Sequence, residues 1–151
     1  MCRVAKYEMV AERVQGYNSD VIDKHMNNAD NIAMFIMQTL QSDRMLVEHF
    51  YVFMLDTKLK VMGFTDVSKG TLDSSPVHPR EVFAPAIMTP KTAAVIAAHV
   101  HPSGDPTPSR QDIEVTERLN KAADILGIRL LDHVIVGDRC FTSMRSEGYI
   151  I

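Results

Sequence analysis

The sequence predicts an α/β sandwich, and three observations carry that prediction. Apolar runs of strand length alternate with segments of helical periodicity. The central runs are apolar on both faces, as strands covered on both sides must be. Turn residues separate them at short intervals, with no internal repeat or low-complexity tract. The 151 residues suffice for one domain with a sizeable core. A composition of 46% hydrophobic and 23% charged residues argues against wholesale disorder.

Residues 3–11 (RVAKYEMVA) are predicted as an edge strand, followed by an Asn- and Asp-rich connection. Residues 1–27 are read as an N-terminal segment of the same domain, and 28–151 as its main body. From Asn28, Ile32, Phe35, Ile36, Thr39 and Leu40 follow helical spacing, and Asn28 or Asp30 is positioned to cap. Glu48 then heads EHFYVFMLD, where Phe50, Val52 and Met54 share one face and Tyr51, Phe53 and Leu55 the other. Asp56, Thr57 and Lys58 read as a hairpin turn into LKVMGFTDV.

The stretch GTLDSSPVHP reads as a loop that delivers Pro79 to the first position of a helix, PREVFAPAIM. Pro85 inside that helix should kink or shorten it. TAAVIAAHVH is a second buried strand, ended by the loop PSGDPTP. Ser109 opens a strong helix with Ile113, Thr116, Leu119, Ala123 and Leu126 along one side and Gly127 as its stop. IRLLDHVIVG is a third buried strand, from which Gly137 and Asp138 turn into a last strand near CFTSM.

The chemistry concentrates in AAHVHPSGDPTPSRQD. Alternation along a strand turns His99 and His101 to one face and Val100 to the other. Asp112, in the first turn of the next helix, returns near the mouth of the loop. Two histidines and a carboxylate would leave one position of a tetrahedral zinc open for water, the catalytic arrangement. Each part also has an ordinary reading. Ser109-x-x-Asp112 is a common helix cap, and a His-x-His pair in a strand is more often unrelated to metal.

The combination His99, His101, Ser109, Asp112 fits HxHx7SxxD, and the chain thereby resembles the JAMM (MPN) metalloproteases. HPSGDPTPS, LLDHVIVGD and GTLDSSPVHPREVF resemble the RadC-like branch of that family, from about residue 28 to the C-terminus. The resemblance implies a three-layer α/β/α domain with a mixed central sheet, related to the cytidine deaminases. It also implies one Zn2+ per chain on His99, His101 and Asp112. Glu48 matches the family's catalytic glutamate, a general base that activates water and then protonates the leaving amine. Ser109 matches the residue that stabilises the oxyanion. The implied substrate is an amide, peptide or isopeptide. Two features depart from the branch: Val100 stands where Asn is usual, and the helix-hairpin-helix region of longer members is not expected here, so a DNA-repair role transfers poorly.

Other readings are narrower. The net charge of -3 gives no basic footprint, so DNA association, as a repair or mobile-element accessory protein with nuclease or no activity, is the alternative rather than the leading reading. Cys2 and Cys140 make no CxxC pair, the N-terminus lacks a signal-peptide pattern, and no run reaches the roughly 18 apolar residues of a membrane span. A cytoplasmic soluble domain is expected. Asp132 and His133, being adjacent, face opposite ways; Asp132 is read as at most a supporting partner of the ligands. His25, His49 and His78 are read as surface or loop residues, and the ten methionines as core filler. A deaminase Pro-Cys-x-x-Cys and a serine-hydrolase elbow are both missing.

Overall fold

A computed structural model describes Gly16, residues 27–70 and residues 77–151. The predicted strand at 3–11, Cys2, His25 and residues 71–76 of the predicted loop lie outside the described residues. Among the described residues, three α-helices and five strands follow in chain order: α1 (Ala29–Gln38), β1 (His49–Leu55), β2 (Val61–Lys69), α2 (Pro79–Met88), β3 (Ala94–Val100), α3 (Arg110–Leu126), β4 (Arg129–Val136) and β5 (Phe141–Ser143). The strands form one sheet ordered β2-β1-β3-β4-β5. Only β3 and β4 are parallel, joined by the α3 crossover, so the sheet is mixed. This is the α/β architecture that the sequence predicts.

The two-faced strands separate two cores. One face of β1 and β3 (Phe50, Val52, Met54, Val95, Ala97) packs with Val82 and Phe83 of α2 and Val115 and Leu119 of α3. The other (Tyr51, Phe53, Leu55, Ala94, Ile96, Ala98, Val100) packs with Ile32, Phe35 and Ile36 of α1. Every residue of β3 is buried, as its small and β-branched sequence requires of the middle strand. Among the described residues, no helix is long and apolar enough to cross a membrane.

Local chemistry sets the boundaries. Asn28 caps α1, accepting from the Asn31 N–H at 2.9 Å, while Asp30 sits in the first turn. Asp56 closes the β1–β2 turn, accepting from the N–H groups of Lys58 and Lys60. Pro79 starts α2, with His78 as its N-cap. Pro85 does not end α2, which runs three residues further to Met88. The inner line of α3 differs from expectation at two places: Leu126 is exposed, and Val115 is buried in the stripe instead. Leu126 is the last helical residue before Gly127, whose left-handed φ of 67° ends the helix.

Candidate metal centre

The antiparallel register places Phe50 opposite His99 and His49 opposite Val100, so one further step brings Glu48 across from His101. His99 lies in the last turn of pleat of β3, 1% exposed, its ring stacked on Phe50 with centroids 5.9 Å apart. His101 follows the strand end, and its N–H still donates to the Val136 carbonyl of β4 at 2.9 Å. Val100 faces the α1 core, away from both histidines.

The loop that follows is held at both ends. Gly104, at a φ of 80°, donates its N–H to the His101 carbonyl, and its own carbonyl accepts from the Asp138 N–H at 2.8 Å. A Cβ on Gly137 would run into that Gly104 carbonyl, so the loop can lie this close to the β4–β5 turn only across a glycine. Asp105 accepts from Thr107 through both the amide and the hydroxyl, and the Asp105 carbonyl lies 2.8 Å from His101 Nδ1.

Ser109 and Asp112 form a reciprocal capping box at the start of α3. Ser109 Oγ accepts from the Asp112 N–H at 3.2 Å, and Asp112 Oδ2 accepts from the Ser109 N–H at 2.7 Å and from the Ser109 hydroxyl at 2.6 Å. The box fixes a carboxylate that is only 1% exposed. Its Oδ1 is 3.1 Å from His99 Nε2, and Oδ2 is 3.5 Å from His101 Nε2. The two Nε2 atoms are 2.7 Å apart. One ligand atom from each of His99, His101 and Asp112 thus lies within 4.8 Å of the others, a set positioned to hold a metal ion.

Burial alone would raise the Asp112 carboxyl, but hydrogen bonds from His101, His99 and Ser109 hold it far below the ordinary carboxylate range. The Asp112 hydrogen bond raises His101 against the opposing effect of burial, and the Asp105 carbonyl and the Asp112 and Glu48 charges add to that rise. Half-buried Glu48, immediately before β1, is therefore close enough to act on His101 electrostatically.

A third histidine backs the set. His133, fully buried in β4, puts Nε2 at 2.9 Å from His99 Nδ1 and Nδ1 at 2.7 Å from Thr116 Oγ1. Burial pushes its imidazole down to about 3, with the neighbouring His99 charge adding to the shift. The sequence reading favoured Asp132 over His133 as the supporting partner, and the structure reverses that choice. Asp132 instead accepts from the His133 and Arg145 N–H groups and the Ser143 hydroxyl, tying β4 to β5 and the turn beyond. The signal available was the alternation itself, which separates the two residues, but only the β3–β4 register (Ala97 beside His133) shows which one meets His99. His49 also differs from expectation: it begins β1 and pairs with Asp66 of β2 at 2.8 Å. His78 is the exposed loop residue expected, and it caps α2.

Residues 26–149 match the family model described as RadC-like JAB domain. The chain is 55% identical over 101 residues to the UPF0758 protein of Desulforudis audaxviator, covering 67% of this chain and 44% of the relative. The UPF0758 protein of Desulforamulus reducens is 48% identical over 122 residues, 80% of this chain and 52% of that protein. That of Geobacillus thermodenitrificans is 44% identical over 135 residues, 89% and 57% respectively. The chain thus spans about half the length of the curated relatives it matches.

Proposed function

Since the chain belongs to the RadC-like JAB domain family, we propose that it is a zinc-dependent hydrolase of JAMM metallopeptidase type, acting on an amide or isopeptide bond. The supporting observation is the convergence of His99 Nε2, His101 Nε2 and the Asp112 carboxylate at the exit of the central strand. Donor chemistry suits zinc. His101 Nδ1 faces a carbonyl, which can only accept, so that nitrogen carries the hydrogen and the lone pair of the neutral ring is on Nε2. Asp112 is held ionised. Three such ligands match the open catalytic zinc pattern rather than the closed structural one.

Zinc bound there supplies a Lewis acid and brings the pKa of a coordinated water towards neutrality. Glu48, across from His101, is the base that takes the proton of the attacking water and returns it to the leaving amine. Ser109 has two duties. Its hydroxyl holds Asp112 at rest, and it turns to the substrate oxyanion as negative charge develops there, while the Ser109 N–H keeps its bond to Asp112 Oδ2.

The test compares purified wild type with Glu48→Gln for zinc content and for turnover of isopeptide, peptide and nucleic-acid substrates. Wild type is expected to bind about one zinc per chain by the three-ligand argument. Glu48→Gln should keep that zinc and lose turnover by roughly 10²–10⁴-fold, the ordinary scale for a general base. Full zinc occupancy in His101→Ala would defeat the site assignment. Turnover confined to nucleic acid, or salt-sensitive duplex binding without hydrolysis, would favour the DNA-associated alternative.

A further inference from the structure

Behind the ligand set, four groups form a continuous hydrogen-bonded row: the Asp112 carbonyl, the Thr116 hydroxyl, the His133 ring and the His99 ring. Its direction follows from one short contact. Thr116 Oγ1 lies 2.6 Å from the Asp112 carbonyl oxygen, which can only accept. Two oxygens that close need a hydrogen between them, so the single hydroxyl hydrogen of Thr116 is committed there. Towards His133 Nδ1, 2.7 Å away, Thr116 must therefore accept, and Nδ1 carries the hydrogen. His133 is fully buried and accordingly neutral, which leaves only a lone pair on its Nε2. Across 2.9 Å, His99 Nδ1 must then donate. On a neutral His99 the lone pair is then on Nε2, which is directed at Asp112 and His101.

We infer that Thr116 and His133 are positioning residues whose hydrogen-bonded row fixes His99 in the one tautomer able to bind metal through Nε2. The inference rests on the zinc reading above and deepens it, because it says how the ligand is set before the ion arrives. The row begins on the main chain of the third ligand, so α3 fixes the Asp112 carboxylate through Ser109 and the His99 tautomer through Thr116. His101 is set separately by the Asp105 carbonyl. With both imidazoles neutral, three lone-pair groups converge there, and a cation takes the place of the protons that hydrogen-bond Asp112 in the metal-free protein. Partners of this kind commonly orient metal-bound histidines and raise their basicity.

Imidazole ¹⁵N spectra of wild type, recorded metal-free and after zinc addition, read the row without any activity. The expected pattern is a hydrogen on Nδ1 and none on Nε2 of His133 in both states, with His99 carrying a hydrogen on Nδ1 in both states and none on Nε2 once zinc is bound. A hydrogen on His133 Nε2 overturns the inference. Chelator competition supplies the second measurement. His133→Gln retains an amide oxygen for the His99 Nδ1–H and should stay within a few-fold of wild-type zinc affinity. His133→Leu should weaken it by about 10–100-fold, the usual scale for losing such a partner. Equal affinity for Leu and wild type counts against the inference, as does equal weakening by Gln and Leu. If wild type binds no zinc, the zinc reading fails, while the metal-free spectrum still decides the direction of the row.

Discussion

Ser109→Ala removes one oxygen with two bonds, and both can be costed. As the N-cap of α3 it accepts from the Asp112 N–H, worth about 1 kcal/mol by the usual loss on replacing such a cap with alanine. As a donor it reaches the ionised Asp112 at 2.6 Å; a bond to a charged group is worth about 1.5–3 kcal/mol, and the exposure of Ser109 places it at the lower end. The metal-free variant should therefore be less stable by about 2.5 kcal/mol, or roughly 7 °C in Tm for a chain of this size. Urea unfolding in chelator at neutral pH measures this directly. A double-mutant cycle with Asp112→Asn then isolates the hydroxyl–carboxylate bond, with an expected coupling of about 1–2 kcal/mol. Coupling near zero would show that the hydroxyl does not hold the carboxylate, and the two duties given to Ser109 would reduce to one. The variant's loss of turnover has to be read at fixed zinc occupancy, because a looser Asp112 lowers occupancy on its own.

Further outcomes are equally specific. In the metal-free protein, His133 lies at about 3 against 6.5 for an ordinary histidine. A lowered histidine pKa means that the unfolded chain takes up the proton first, so stability is full above about 6.5 and falls as the pH drops towards 3. Between pH 7 and 5 that loss is about 2 kcal/mol. The raised pKa of His101 works in the opposite sense, its contribution already complete below 6.5, and the lowered Asp112 adds to the loss only below about 3.8. His133→Gln should flatten this acid limb in urea titrations, and an unchanged limb would show that His133 is not its source. Gly137→Ala forces the turn away from the Gly104 carbonyl, at about 1–3 kcal/mol for overpacking, and should weaken zinc binding because the same loop carries Asp105. Gly63→Ala, whose new methyl would meet only Met54 at 3.7 Å, is the control expected to alter neither.

Much of the fold is legible because a buried strand and an amphipathic helix leave different periods in the chain. β1 and β3 read correctly since both their faces meet a core, and the α3 boundaries read correctly since Ser109 and Gly127 satisfy specific backbone demands. The same alternation placed His99 and His101 on one face and Val100 on the other. α2 keeps the span PREVFAPAIM read from the sequence and is not shortened at Pro85, because Val82, Phe83 and Ala86 pack into the core and burial outweighs one missing N–H. Leu126 continues the period of the buried stripe, yet as the last residue of α3 it is exposed.

His133 and Gly137 were illegible for a different reason. Alternation says which residues share a face of one strand, whereas contact between strands depends on register, and a parallel pair joined through a helix has no turn to reveal it. A shift of two residues between β3 and β4 would preserve every apolar pattern and still part His133 from His99. Ser109-x-x-Asp112 is ambiguous more deeply, since the same spacing serves a helix cap and a metal support and the two are compatible. In the structure one hydroxyl and one amide of Ser109 hold the Asp112 carboxylate within the same capping box that starts the helix. Nothing in the spacing could separate two roles that the molecule itself does not separate. What discriminates is the third dimension: a solvent-facing cap leaves its acid exposed, whereas here the acid is buried against two imidazoles.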